Sequence, residues 1–533
     1  MRSAVAVALL ALAGLLAAPA LSGAPEADTD SAAFLELGRR VYVDGVGAEG
    51  REIVAVLAGG AEVSAAVLPC AGCHGAGGRG RPEGGVSPSN LTWEALTKPY
   101  GVTHGSGRAH PPYDERSLVW AVTHGVDPGG NALSDAMPRY RLSRREAEAL
   151  VAYLRQLGSA AEPGVTGAAV RLGVVLPPPE LGGLAEALRA VLEAVAERAN
   201  EAGGFYGRRV ELRFAQPAGT PAGRRAAVAE LLDEDRPFAL VAGFIAGADG
   251  EITALAAERR VPMVGPFTLH PQVGLPLNRW VFYLISGLDQ QARALVDFAA
   301  RRAAGAPPAR VVAIHPEEPV AEGVAAAIRA QGRRHGAEGA WGAVAAVPFA
   351  PGGLDARSLV DRELAAGTGV AFLLGSEAEV WAVLAAAAEA GWAPAFYVPG
   401  ALLGGLGNGL PLEAARRVVL SSPVLDSDRR PGALARFRAL DLPDGGPAAY
   451  RPMQLAAMAS AEVLFEGLER AGRDLTREGL VEALEGLYDY DTGLVPPVTY
   501  GPSRRIGALG AHILAFDEGR GAFRPTGEWV TPR

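Results

Sequence analysis

Only two cysteines occur in 533 residues, and they stand close together, as Cys70 and Cys73, directly before His74. No other feature constrains the fold as much. A scaffold stapled by several disulfides is excluded, as is a four-cysteine zinc or iron–sulfur centre built by this chain alone. The core must therefore come from apolar burial, which 49% apolar and 20% charged residues can supply. At roughly 150 residues per domain, the length corresponds to about three domain-sized units. Lys98 is the single lysine among 50 lysines and arginines, so Schiff-base and P-loop lysine chemistry have almost no candidate. A formal charge of −9 leaves no basic excess to displace counterions, which argues against a nucleic-acid partner.

Residues 1–24 read as an address. Met1-Arg2 precedes an apolar run from Ala4 to Leu16, then small residues at Ala18-Pro19-Ala20 and Ser22-Gly23-Ala24. This is the layout of a secretory signal peptide, with cleavage expected after Ala20 or Ala24. The competing reading is a retained anchor, for which the run is short against the ~20 residues of a span. Val380–Gly400, the most apolar later stretch, carries Glu389, glycine and proline. A periplasmic mature chain with no membrane span is expected.

Cys70-Ala71-Gly72-Cys73-His74 is the c-type haem attachment pattern. Two thiols add across the two vinyl groups of one porphyrin edge, and the tight spacing matches the separation of those vinyls. The adjacent histidine brings an imidazole nitrogen to the iron. A disulfide and a thioredoxin-like redox pair are the competing readings, and the redox pair needs a strand before it and a helix after it. Gly75, Gly77, Gly78 and Gly80 follow at once, which suits a loop wrapped around a flat cofactor. One covalent haem c is expected, anchored by Cys70 and Cys73 with His74 as proximal ligand.

Met137 is the expected sixth ligand. It lies 63 residues after His74, and Pro138 restrains its loop, as a fixed thioether ligand requires. His104, His110 and His124 compete with it. Ser143 and Glu146 form a capping box, after which Leu150, Val151, Leu154 and Leu157 make an apolar helical stripe ended by Gly158. Phe34–Tyr42 is a second helical stretch.

From about Phe34 to Leu157, these residues resemble a class I cytochrome c. The resemblance rests on Cys70-Ala71-Gly72-Cys73-His74-Gly75, Met137-Pro138 and Leu150-Val151-Ala152-Tyr153-Leu154-Arg155. It implies an all-α domain over 34–158, in which Gly38 and Tyr42 face Leu150 and Leu154. It also implies a proline carbonyl on the second nitrogen of His74, with Pro88 the best match and a plain loop proline the alternative. Arg139, Arg141, Arg144 and Arg145 either steer an acidic partner, contact haem propionates or form a solvated helix start.

Residues 159–169 are small and polar and read as a linker. Beyond them apolar strands alternate with helices, from Val170–Leu176 through Leu184–Ala199, Val210–Phe214 and Arg224–Leu232, and on to Val418–Leu420. Such alternation indicates parallel sheets covered by helices, in two α/β lobes over 170–533. This region resembles the type I periplasmic solute-binding proteins of the branched-chain amino acid class. The resemblance rests on Val261-Pro262-Met263-Val264-Gly265-Pro266, Ser286-Gly287-Leu288-Asp289-Gln290-Gln291, Val312-Ala313-Ile314-His315 with Glu322-Gly323, and Ala388-Glu389-Ala390-Gly391-Trp392.

In that family two lobes close over a small ligand, whose acid group meets backbone N–H and hydroxyl groups at a helix start. Carried over, the pocket residues are Ala246, Gly247, Asp249 and Thr268, with Glu377 as a polar substitute. The helix-start loop lacks the hydroxyls expected there, the aromatic clamp falls at Val320 and the acidic partner of an amino group at Ala401. A less polar or uncharged ligand fits better than an α-amino acid, and a docking scaffold without ligand is the alternative.

No nucleophile elbow, zinc-protease motif or phosphate loop is present, and Gly404–Gly409 reads as a turn. His270, His315, His335 and His512 are scattered. The leading expectation is a periplasmic mono-haem cytochrome c fused to a solute-binding domain, carrying electrons and not acting as an enzyme. By resemblance, its redox partner is a quinoprotein dehydrogenase of alcohol oxidation or an oxidase. The alternative is an ABC-transporter-type receptor with a redox-sensing haem. A third reading, a haem peroxidase, requires an open iron site.

Overall fold

The computed structural model describes residues 27–75, 77–80, 88–104, 107–157, 162–217, 219–303, 308–337, 341, 343–403, 410, 412–442 and 448–532. The leader, the helix stop at Gly158, the first linker residues and the glycine cluster at 404–409 lie outside the described residues. Two compact units meet in sequence at Ala160–Ala161.

The first unit runs α1 (Ala27–Val43), β1 (Val54–Val56), β2 (Glu62–Ser64), α2 (Cys70–His74), α3 (Trp93–Leu96), β3 (Val102–Thr103), β4 (Ala109–His110), α4 (Glu115–His124), β5 (Arg139–Tyr140) and α5 (Arg144–Gln156). It is not all-α. Two small antiparallel ribbons accompany the helices, one ordered β2-β1-β5 and one pairing β3 with β4. The first arises because β-branched residues at Val54, Val56 and Val63 flank a turn through Gly59-Gly60.

Helix α1 packs on α5 through Gly38, where a Cβ would lie 2.1 Å from the Ala149 carbonyl oxygen. Gly38 meets Ala149 and Tyr153, which share one helical face, and the Tyr42 and Tyr153 rings sit 5.5 Å apart. Tyr42, Leu150 and Leu154 belong to the same apolar cluster and line the cavity described below. The capping box of α5 is present, with the Ser143 hydroxyl and the Glu146 carboxylate exchanging bonds with each other's backbone.

The second unit begins inside the expected linker. Val165 bridges to Val170 and packs on the core, and the first strand starts at Ala169. In chain order it runs β6 (Ala169–Val175), α6 (Leu184–Glu201), β7 (Arg209–Ala215), α7 (Pro221–Glu230), β8 (Ala239–Val241), α8 (Asp249–Glu258), β9 (Met263–Val264) and β10 (Val281–Ile285). It continues with α9 (Leu288–Arg302), β11 (Val311–Pro316), α10 (Pro319–Ala337), β12 (Val344–Phe349), α11 (Ala356–Ala365), β13 (Val370–Leu373), α12 (Glu377–Ala390), β14 (Ala395–Pro399), α13 (Leu412–Ala415) and β15 (Val418–Ser422). It ends with α14 (Pro431–Arg438), α15 (Arg451–Ala471), α16 (Arg477–Glu485), β16 (Ile506–Ala508), β17 (Ala511–Asp517) and β18 (Ala522–Val530).

These strands form two sheets, one per lobe. The first is parallel throughout, in the order β16-β10-β9-β8-β6-β7. The second is parallel from β12 through β11, β13 and β14 to β15, then antiparallel through β17 and β18. The chain passes between the lobes after β10, after β15 and after β16. Ser286 pins two of these crossings together, because its hydroxyl accepts the Gly510 N–H at 2.9 Å. Ala388–Trp392 closes α12: Gly391 takes a left-handed turn, and buried Trp392 donates its indole N–H to the Thr368 carbonyl at 3.1 Å.

Candidate functional site

Cys70–His74 forms a single helical turn capped by Pro69. The loop after it folds straight back, since Gly80 N donates to the His74 carbonyl at 2.9 Å and Leu91 N to the Gly78 carbonyl. Gly80 makes this return possible: its φ is +81°, and a Cβ there would sit 2.1 Å from the Pro88 carbonyl oxygen. Residues 88–91 are thereby laid against the histidine.

His74 Nδ1 donates to the Ser89 carbonyl at 2.8 Å. The acceptor is one residue beyond the expected Pro88, whose carbonyl is turned to Gly80 instead. A carbonyl only accepts, so Nδ1 carries the proton and Nε2 holds the lone pair. Burial keeps the ring below the ordinary histidine value despite that bond, so it is a neutral donor.

His74, Cys70, Cys73 and Met137 line one cavity of about 1170 Å³, with Leu150 and Leu154 among its apolar walls. Both thiols are free. Burial pushes the Cys70 thiol up to about 12, the opposite of the lowered value that a thioredoxin-like nucleophile needs. The helix that carries the pair has only five residues, ended by Gly75. The residues present fit a covalently attached haem: two thiols, a lone-pair imidazole nitrogen and a thioether face one large apolar cavity.

The Met137 loop is held from several sides. Met137 N donates to the Ser134 carbonyl at 3.0 Å. The Arg139 guanidinium donates to the Met137 carbonyl, and to that of Leu133 at 3.3 Å. Arg141 pairs with Glu62, and Arg144 with Glu148 at 2.8 Å. The expected arginine cluster is thus largely consumed in local bonds, with Arg139 bracing the loop. Among the competing histidines, His104 and His110 line the cavity, whereas His124 stacks on Trp120 at 3.5 Å and does not.

In the second unit, Ala246, Gly247 and Asp249 follow β8 and Thr268 follows β9, at the carboxyl ends of parallel strands where such sheets bind ligands. Asp249 opens α8. One of its oxygens accepts the Gly247 N–H at 2.8 Å and the other accepts the Thr268 hydroxyl. The Ala246 carbonyl is taken by the Arg224 guanidinium. The Gly247 N–H and the Thr268 hydroxyl are therefore spent on a carboxylate of the chain itself. Glu377 is exposed at the start of α12 in the other lobe, and Val320 and Ala401 are exposed as well.

Residues 170–510 match the family model described as periplasmic binding protein, and residues 58–158 match that described as cytochrome c. The chain belongs to the periplasmic binding protein family. A curated relative, Leu/Ile/Val-binding protein homolog 3 of Brucella melitensis, is 24% identical over 361 residues, covering 66% of this chain and 92% of the relative. The solved structure of a branched-chain amino acid ABC transporter from Thermus thermophilus with bound valine superposes with a TM-score of 0.54 at 19% identity, covering 68% of this chain and 97% of that one. A fatty acid ABC transporter substrate-binding protein from Thermomonospora curvata gives a TM-score of 0.52 at 15% identity, covering 70% and 95%. The binding-protein fold is thus common ground. No helix among the described residues is long and apolar enough to cross a membrane.

Ahead of this periplasmic binding protein region, the cytochrome c match starts at residue 58, while the compact unit also includes α1. Three functional contacts escape sequence reasoning. The Ser89 carbonyl is backbone and leaves no side-chain signal. The Arg139 brace and the Asp249–Thr268 bond depend on how two loops meet, which no local pattern encodes.

Proposed function

We propose that this chain is an exported electron carrier bearing one haem c, joined to a solute-binding unit. The observation that carries the reading is the convergence of Cys70, Cys73, His74 and Met137 on one cavity, with the His74 proton held by Ser89. In this reading Cys70 and Cys73 would hold the haem through their sulfurs, and His74 Nε2 and the Met137 thioether would ligate its iron. When bound, the haem supplies a one-electron Fe(III)/Fe(II) couple. His74 stays fixed and neutral through its carbonyl partner, and the braced Met137 loop keeps a sixth ligand in reach, which leaves no open site for peroxide. The periplasmic binding protein match supports a periplasmic location, and a periplasmic dehydrogenase or oxidase is the proposed redox partner. Mass spectrometry of protein matured with a haem-attachment system tests this: one haem mass on the Cys70–His74 peptide is expected, lost in Cys70→Ser with Cys73→Ser. Absence of that mass from the wild type contradicts it.

For the second unit, we infer a ligand without a free carboxylate, such as an alcohol or aldehyde, because Asp249 already occupies the donors of Gly247 and Thr268. A second carboxylate there would face like-charge repulsion. The complete two-lobed architecture favours a receptor as the second reading, with the haem as an accessory. A thermal-shift screen of alcohols, aldehydes, carboxylic acids and amino acids separates these outcomes. Shifts with none of them leave the unit as a docking scaffold.

A further inference from the structure

The second of the three crossings between the lobes is fastened on both sides of a single residue. It leaves β15 at Ser422 and enters α14 at Pro431. Asp428, at the end of the short turn Asp426–Asp428, is held to the second lobe, because both its oxygens face His512 Nε2 on β17, at 3.1 and 3.0 Å. Its carboxylate also accepts the Leu425 N–H at 2.7 Å, which keeps it in place. Arg430 is held to the first lobe instead. Its N–H donates to the Gly493 carbonyl at 2.8 Å and its guanidinium pairs with Asp491, in a segment whose Leu494 and Val495 belong to the first lobe's core. Only Arg429 stands between the two anchors, its guanidinium paired with Asp426. Rotation of one lobe against the other must therefore be taken up at Arg429 or break an anchor.

The third crossing meets the same histidine. Gly510, between β16 and β17, has a φ of +144°, and a Cβ there would lie 2.5 Å from Trp529 Nε1. The Trp529 ring stands edge-on to the His512 ring at 4.7 Å. His512 thus joins the second crossing, the third crossing and the last strand.

Of the two anchors beside Arg429, only the histidine one can change its charge near neutral pH. A carboxylate only accepts, so the Nε2 that faces Asp428 carries a proton. As an imidazolium the ring makes a charge-assisted bond. As a neutral imidazole it makes a weaker one, or loses it when the proton moves to Nδ1. The other groups around the ring are uncharged or engaged. Ser422, opposite it on β15, gives its hydroxyl to the Val424 carbonyl at 2.7 Å, and Trp529 lies opposite it on β18. Glu528 pairs with Arg301 at 3.1 Å, and Asp426 with Arg429.

We propose that His512 and Asp428 form a proton-operated latch on the hinge of the second unit, firm when the imidazole is charged and slack when it is neutral. The charged ring is stabilised by the latched state, so the latch is firmest in mild acid and loosens as pH rises through the range where an imidazole gives up its proton. The inference takes from the binding-protein reading only that the lobes move, and it holds whatever the cleft takes.

Hydrogen exchange of the full-length protein tests it, read by mass spectrometry on peptides spanning 422–430 and 508–514 at about pH 5 and about pH 8. Rates are corrected for the pH dependence of intrinsic exchange. Wild type is expected to exchange about fivefold faster in these peptides at the higher pH, the difference between a charge-assisted and a neutral bond. His512→Gln keeps an N–H donor that does not titrate and should lose this pH dependence. Asp428→Asn keeps the shape of the anchor without its charge and should lose most of the protection seen in acid. Wild-type protection that does not change with pH overturns the proposal, as does a His512→Gln protein that keeps the wild-type pH dependence. A pH effect spread equally over peptides from α6, in the body of the first lobe, overturns it too, because it marks general loosening and not a latch.

Discussion

The Tyr140 hydroxyl donates to the Leu68 carbonyl at 2.8 Å. One residue lies three past Met137 and the other two before Cys70, so this bond ties the thioether loop to the attachment turn across 72 positions of sequence. Backbone pairing of Tyr140 with Ala55 fixes the same strand from its other side. Tyr140→Phe is expected to cost about 1 kcal/mol of stability and to weaken the sulfur-to-iron absorption band. Denaturant titration and the oxidised spectrum report on the two effects. A band of wild-type strength in the variant would show that the tie does not position Met137.

Gly38→Ala addresses the helix crossing. Its new methyl would meet the Ala149 backbone at 2.1 Å, where neither helix has a flexible side chain to move. Separation of α1 and α5 should cost about 1–3 kcal/mol by overpacking. Unfolding followed through the haem band measures it, and a variant as stable as wild type would refute the close crossing.

Glu146 makes the haem unit sensitive to acid. Burial alone would raise its carboxyl, but Arg51, the Ser143 hydroxyl and N–H, and the Ala48 N–H outweigh that and bring it to about 2. Its folded pKa lies below the unfolded value, so its stabilisation is present at neutral pH and lost as pH falls from about 4.5 towards 2. The full effect is on the order of 3 kcal/mol. Glu146→Gln should therefore lower stability at pH 7 and flatten its fall across that acid range. Denaturant midpoints collected against pH give the comparison, and an acid slope identical to wild type would remove Glu146 as its source.

Asp249→Ser frees the Gly247 N–H and the Thr268 hydroxyl. Isothermal titration with valine and with a medium-chain fatty acid should give no heat of binding for wild type and at least a tenfold gain in affinity for the variant. Tight binding of valine by the wild type would overturn the reading that Asp249 stands in for the ligand's acid group.

Much of this was legible in the residues, because the informative patterns were local. Five consecutive residues specify the attachment turn, Met137-Pro138 marks a restrained loop, and Ser143 with Glu146 announces a helix start. Alternating apolar strands and helices likewise revealed both lobes. What escaped depended on where distant segments meet. The small ribbons that make the first unit more than all-α pair Val54–Val56 with Arg139–Tyr140, far along the chain. At the α1–α5 crossing Gly38 meets Ala149 and Tyr153, a small residue and a tyrosine that the apolar stripe of Leu150 and Leu154 does not mark. Asp249 reads from the sequence as one pocket residue among several, and only the fold brings Thr268 to it.

The central claim is that His74 and Met137 hold one iron between them. Optical spectra of the oxidised and reduced protein, taken on wild type and Met137→Ala, test it most directly. The account predicts a six-coordinate low-spin wild type with a sulfur-to-iron band, and a variant that loses that band and turns high-spin. A wild type that is already high-spin, or a Met137→Ala protein with an unchanged low-spin spectrum, would contradict it.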